Sequence, residues 1–172
     1  MEFRQLGDTQ LKVSVVGLGT LGFLRAGLDQ TGEAGLEEMA GIVERALDLG
    51  INFIDTAFAY ASGQVESGVG KAMSRRRDAA IILSRSHIWQ KTLDPRDTMV
   101  CLEESLKRLN CDVLDLYQLH DVSSLESYQK VIDHGVYEAL KQAKRQGKVK
   151  FIGFSTHGSF DLVKQIINSG EV

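Results

Sequence analysis

Residues 46–60 read ALDLGINFIDTAFAY, and the order of residue types in this stretch decides the architecture. Ala46, Leu47 and Leu49 close an apolar stripe that begins at Leu36 and runs through Met39, Ile42 and Val43, the spacing of one helix face. Gly50 then stops the helix, because glycine tolerates the backbone a helix end requires. Ile51 to Thr56 predicts a strand whose apolar run suits burial on both faces. That strand ends on a carboxylate, Asp55, with Tyr60 in the loop beyond it. Helix, glycine, apolar strand and polar rim together make one step of a βα repeat.

The same order recurs along the chain. Phe3 to Gln5 and Leu11 to Val13 flank the turn signal Gly7-Asp8 and predict an N-terminal β-hairpin. Val15 to Gly19 predicts the first strand of the repeat, and the glycine-rich polar run from Gly22 to Gly35 a loop. Val65 to Ser74 predicts a helix and Ala79 to Leu83 the third strand. Asp94-Pro95 opens the next helix, the aspartate capping free amides and the proline fitting the first helical position. Its acidic residues come early (Asp97, Glu103, Glu104) and its basic ones late (Lys107, Arg108), as the helix dipole favours. Val113 to Leu119 is the fourth strand, Val136 to Gln146 a helix, Val149 to Phe154 the fifth strand and Phe160 to Ile167 the last helix.

Five βα repeats imply a parallel sheet covered by helices. An open doubly wound sheet and a (β/α)8 barrel both satisfy that pattern. The hairpin ahead of the first strand favours the barrel. So does the glycine pattern: Gly17 and Gly19 are followed by Gly22 and loop composition, not by a helix that would complete a pyrophosphate fingerprint. A complete barrel of this type needs roughly 250 residues. The 172 residues here predict one α/β domain, 1–172, of (β/α)8-barrel type truncated to about five βα units. Five strands leave two open sheet edges, which invite self-association.

Bulk properties narrow the function. Hydrophobic residues are 43% and charged residues 25%, ordinary for a soluble globular chain, and the net charge of −3 speaks against nucleic acid. Cys101 and Cys111 stand without metal-type spacing and read as reduced thiols. The N-terminus lacks an apolar signal core, and no run approaches the ~20 apolar residues that span a bilayer. The expectation is a cytoplasmic protein with neither a membrane nor a nucleic-acid partner.

Active sites of such barrels lie at the C-terminal strand ends. In order, those ends carry Gly19-Thr20, Asp55 with Tyr60, Ser84-Arg85-Ser86-His87, His120-Asp121 and Ser155-Thr156-His157. Each has a plainer reading. A single aspartate after a strand often caps a helix, a loop tyrosine often packs, and a strand-end histidine often only holds a structural hydrogen bond. A one-residue slip would make Arg85 an ordinary rim charge, and Trp89 serves equally as a substrate wall or as packing. Their arrival at one rim favours a site over the separate plain readings.

The segments RQLG and LKVSVVGLGT (4–7 and 11–20), ALDLGINFIDTAFAY (46–60), ESLKRLNCDVLDLYQLHD (104–121) and GKVKFIGFSTH (147–157) together resemble the aldo/keto reductases, in that family's order. They are most similar to a bacterial branch that often carries C-terminal iron–sulfur motifs. The resemblance implies hydride transfer between NADPH and a small aldehyde or ketone. It implies Tyr60 as general acid, Asp55 as the carboxylate that holds a cation, and His120 as the group that orients the carbonyl. The family's cation is a lysine in a Thr-Lys pair, and here Ser84-Arg85 stands in its place. Arg85 keeps a positive charge able to lower the tyrosine pKa, but it is larger, planar and unable to shed a proton, so slower chemistry is expected. By the same resemblance Gly19, Thr20, Asp55, Ser155 and Thr156 take cofactor contacts, Thr156 replacing a usual asparagine. The phosphate contacts and the residue stacked under the nicotinamide belong to strands six to eight. No metal or iron–sulfur cluster is expected.

Two other functions fit the residues. A catalytically inactive half-barrel would bind a partner or its own copy through the open edges. A metal-dependent hydrolase would use His87, His120 and His157, which end three successive strands, around zinc.

Overall fold

A computed structural model describes residues 1–28 and 32–171. A two-stranded antiparallel hairpin, β1 (Phe3–Gln5) and β2 (Lys12–Ser14), precedes a five-stranded parallel sheet. The sheet strands are β3 (Leu18–Gly19), β4 (Phe53–Asp55), β5 (Ile81–Ser86), β6 (Leu114–Leu119) and β7 (Val149–Phe154), each beside its successor in the chain. Helices α1 (Gly22–Arg25), α2 (Glu33–Asp48), α3 (Gln64–Arg76), α4 (Pro95–Arg108), α5 (Leu125–Asp133), α6 (Val136–Arg145) and α7 (Phe160–Asn168) supply the connections and the last turn of the pattern. Strand order equal to chain order, with no reversal, is the order of a barrel wall and excludes the doubly wound alternative.

The core lies between the sheet and its helices. Ile54, Ile82, Leu114 and Tyr117 of the sheet are fully buried, with Met39 and Val43 of α2, Val65 and Val69 of α3, Leu102 of α4 and Leu140 of α6. Met39, Val43, Ala46 and Leu47 of the predicted apolar stripe face this core, while Ile42 and Leu49 are exposed, and the helix begins at Glu33, inside the run expected to be loop. Helix α1 occupies another part of that run, while 29–31 lie outside the described residues. Asp94 caps α4, its carboxylate accepting from the Arg96 amide at 2.8 Å.

Three expectations are corrected. The first sheet strand does not run from Val15. Ser14 and Asn52 hold one another, the Ser14 amide donating to Asn52 Oδ1 at 2.7 Å and the Asn52 amide to Ser14 Oγ at 3.0 Å. Ser14 Oγ also donates to Val16 O at 2.6 Å, so the chain bends there and leaves Val15 and Val16 exposed. The third sheet strand does not stop at Leu83 but carries Ser84, Arg85 and Ser86 within it. A helix absent from the sequence reading, α5, fills the space after β6, closed at its start by reciprocal Ser124 and Ser127 hydrogen bonds.

Serines sit inside β5 because the strand alternates faces. Ser84 and Ser86 turn toward the helices and are partnered there, Ser84 Oγ donating to Glu66 Oε1 at 2.6 Å and Ser86 Oγ lying 2.9 Å from Cys101 Sγ. Arg85 therefore turns to the opposite face. The hairpin lies at the N-terminal ends of the strands, where Leu11 lines a pocket with Ile81, Asp115 and Lys150. The C-terminal ends, which carry the ionisable residues, are left to the βα loops. Among the described residues no helix is long and apolar enough to cross a membrane.

Candidate active site

Register places the four predicted catalytic side chains. In β4, Ile54 is buried against the helices, so Asp55 points to the other face, in register with Gly19 on one side and Leu83 on the other. Arg85 lies two residues beyond Leu83 and shares that face. Its guanidinium donates to Asp55 Oδ1, an ion pair between adjacent strands with the arginine side chain only 13% exposed. His120 follows β6 directly, its amide donating to Ser86 O at 2.9 Å and its carbonyl accepting from Trp89 Nε1 at 2.9 Å. Trp89 is thus a buried brace for His120, not a free wall.

Tyr60 arrives from the loop after β4. That loop continues beside β5, the Thr56 amide donating to Leu83 O at 2.9 Å and the Phe58 amide to Arg85 O at 3.0 Å. Immediately after Tyr60 the backbone turns left-handed at Ala61 (φ 48°), Ser62 (φ 51°) and Gly63 (φ 92°). A non-glycine residue pays about 1–2 kcal/mol for that conformation, so packing must hold the turn that presents Tyr60. The Tyr60 ring meets His120 edge-on, with centroids 6.4 Å apart. Asp55, Arg85, Tyr60 and His120 thus converge on one rim.

His87 joins them. Its ring stacks on Phe58 at 6.0 Å and stands edge-on to His120 at 6.3 Å. Arg85 Nε, His87 Nδ1 and His120 Nδ1 are buried atoms without a hydrogen-bond partner among the described residues. Three such atoms at one mouth are unusual in a native interior and mark a place where polar groups await one.

Burial dominates the electrostatics. It pushes the Asp55 carboxyl above the usual carboxylate value, with Arg85 opposing. It also pushes the Tyr60 phenol up; Arg85 pulls down, and Asp55 adds to the rise. The expected lowering of the tyrosine by Arg85 exists but loses to burial. Both histidines are pushed below the ordinary imidazole value, His120 by burial, Arg85 and His87, and His87 by burial and Lys91. At neutral pH both rings are therefore neutral, able to donate from one nitrogen and accept at the other.

The residues predicted to touch a cofactor divide in two. The Gly19-Thr20 turn is tied to the acid, the Thr20 amide and Oγ1 both donating to Asp55 O at 2.9 and 3.0 Å. Gly19 is exposed, and a Cβ built on it would meet nothing within 4 Å, so its face is open. Ser155 Oγ accepts from the Asp121 amide at 3.0 Å and keeps its own proton to donate. Thr156 Oγ1, by contrast, accepts from the Gly158 amide at 2.9 Å and lies 3.5 Å from Ser123 Oγ, a loop role. His157 is exposed, and no group of three His, Cys, Asp or Glu among the described residues is arranged to hold a metal ion. The three-histidine zinc reading therefore lacks a geometry. Sequence reasoning placed His87 at a strand end and gave it a role only in the zinc reading; its ring contacts, and Phe58 altogether, went unassigned, because they form across two loops.

Comparison with known proteins places this geometry. The model of the Aldo/keto reductase family matches residues 15–172. The aldo-keto reductase YhdN of Bacillus subtilis is 34% identical over 90% of this chain and 47% of its own length. The holo form of aldo-keto reductase AKR11C1 from Bacillus halodurans superposes with TM-score 0.77 at 29% identity, covering 98% of this chain and 54% of that one. An aldo/keto reductase from Klebsiella pneumoniae, solved in complex with NADP and acetate, gives TM-score 0.70 at 27% identity over 88% of this chain and 48% of its own. The chain spans about half the length of the curated relatives it matches.

Proposed function

The chain belongs to the aldo/keto reductase family, and from that membership we propose that it serves NADPH-dependent reduction of aldehydes or ketones to alcohols. The observation that carries this reading is the convergence of Asp55, Arg85, Tyr60 and His120 on one rim, with an inter-strand ion pair at its centre. The open Gly19 face and the free proton of Ser155 fit the nicotinamide end of a dinucleotide. When bound, the cofactor supplies a hydride to the carbonyl carbon.

The chain's own groups do the rest. Tyr60 gives its phenolic proton to the carbonyl oxygen as negative charge develops there. The Arg85 charge favours the phenolate left behind, and Asp55 holds the guanidinium against β4. Neutral His120 donates a hydrogen bond to the same oxygen and sets the angle of the carbonyl. Because burial holds the Tyr60 phenol high, proton transfer is demanding, and a modest turnover follows.

The test pairs NADPH titration by fluorescence with loss of NADPH absorbance on addition of p-nitrobenzaldehyde. Micromolar cofactor binding and a turnover that vanishes in Tyr60→Phe at unchanged melting temperature are the expected results. Failure of the purified chain to bind NADPH would remove the proposal. A second reading rests on a different observation, the unpaired outer edges of β3 and β7 within the five-stranded sheet: a catalytically inactive half-barrel that associates through those edges.

A further inference from the structure

We infer that Arg108, at the end of α4, is a positioning residue for the rim: held by Glu66, its guanidinium sets the loop from Phe58 to Gly63 and, through that loop, the rings of His87 and Tyr60. The inference deepens the reductase reading, since Tyr60 is assigned to the carbonyl and His87 stands edge-on to His120, which is assigned to it too.

Glu66, on α3, is fully buried and uses both oxygens. Oε1 accepts from Ser84 on β5 at 2.6 Å, next to Arg85, and Oε2 accepts from Arg108 Nε at 2.8 Å. The arginine's Nη2 also donates to Ser105 at 3.3 Å. Its Cζ stands over the Phe58 ring, 5.0 Å from the centroid, and that ring also stacks on His87. The same guanidinium fills the space a side chain at residue 63 would need, a Cβ there falling 2.6 Å from Arg108 Nε. Gly63 ends the left-handed turn that begins one residue after Tyr60. One planar cation therefore touches both ends of the loop, while its carboxylate partner is bonded to the strand that carries Arg85. Lysine would keep the charge but lose the plane that covers Phe58.

Ring NMR of the full chain tests this without turnover, because the protein has only four histidines. His134 and His157, both exposed, serve as internal references. Lys91 and His120 are the charged and titratable groups that the structure shows acting on His87 or touching its ring among the described residues. In Arg108→Met and in Phe58→Leu, the His87 titration midpoint should climb toward the ordinary imidazole value by about half a pH unit as its cover loosens. Arg108→Lys should fall between these and the parent, and the reference histidines should not move. A purely structural role would lower the melting temperature and leave His87 in place relative to the references. That result in both Phe58→Leu and Arg108→Lys would overturn the inference, even where Arg108→Met fails to fold. In the kinetic arm, Arg108→Lys should lower kcat roughly tenfold or more with KM little changed. A parent chain that shows no reduction while His87 still shifts would sink the reductase reading and leave the positioning role standing.

Discussion

Arg85 carries the sharpest question at the level of single residues. It forms the inter-strand ion pair with Asp55, yet the phenol beside it stays high because burial outweighs its charge. Guanidinium charge is spread over a plane, and Arg85 Nε finds no partner among the described residues. An ammonium concentrates its charge at one point and can settle closer to a phenolic oxygen. Arg85→Lys should therefore raise kcat for carbonyl reduction about tenfold, measured by NADPH consumption at saturating aldehyde; an unchanged or lower kcat would refute the electrostatic argument. The same residues set a pH dependence of stability. His87 and His120 have folded pKa values below the ordinary 6.5, so the unfolded chain binds more protons in the window beneath that value. Stability contributed by the neutral rings is present above pH 6.5 and is lost as pH falls toward the folded values. Asp55 works in the opposite sense: its raised pKa makes the folded state the better proton binder above 3.8, so its protonation adds stability as pH falls. Two histidines oppose one carboxyl. The melting temperature should drop between pH 6.5 and 5, and His87→Phe should flatten that drop in differential scanning fluorimetry.

Between elements, the close approach of α3 and α4 is the feature most sensitive to mutation. A Cβ on Gly70 would sit 1.9 Å from Arg108 O, a backbone atom that cannot rotate away. Gly70→Ala should cost about 3 kcal/mol and also disturb the guanidinium over Phe58, whereas Asp94→Ala, which uncaps α4 and removes an exposed ion pair with Arg96, should cost about 1 kcal/mol. Urea unfolding of the two variants gives the comparison, and equal costs would contradict the packing argument. The contrast also shows what a sequence can reveal at this scale. Local chemistry was legible: the Asp94-Pro95 helix start, the glycine stops and the bounds of β7 all follow from neighbouring residues. Long-range partnering was not. Ser84-Arg85-Ser86 reads as a rim, yet it is strand, because Glu66 and Cys101 wait on the helix side for the two serines. Helix α5 escaped because its cap, Ser124, is answered by Ser127 at the third helical position in place of the usual acid or amide, and its buried face is short, Tyr128 and Val131 with Ile132 packed beside them. The four rim residues Asp55, Tyr60, Arg85 and His120 were readable from strand-end position and family resemblance. His87 was readable as a strand-end residue, but its stack on Phe58 was not, nor was the part of Arg108, since these exist only as contacts between separate elements.

For the whole molecule, the decisive quantity is how much of the sheet's second face and edges is covered. The helices bury one face. The other presents Phe53 and Ile81, Leu116 and Phe151, all partly exposed, alongside the catalytic candidates. Strand β7 pairs with β6 over its full length, and its other edge has no partner among the described residues. The helix after it adds exposed Phe160 and Ile167, and the opposite end of the sheet adds exposed Val15, Val16 and Leu21. An unpaired edge flanked by apolar side chains is a template for another strand. If a second copy supplies it, sedimentation velocity of the isolated chain should show species larger than one chain, growing with concentration. Phe151→Glu should weaken that association at least tenfold, about 1.4 kcal/mol, because a carboxylate on the edge strand must be desolvated to pair. Tyr60→Phe, which touches only the rim, should leave association unchanged and so separates the edge from the site. A parent chain that sediments as one species of single-chain mass at every concentration would show that the edge does not recruit a copy, and would leave the reductase reading without this competitor.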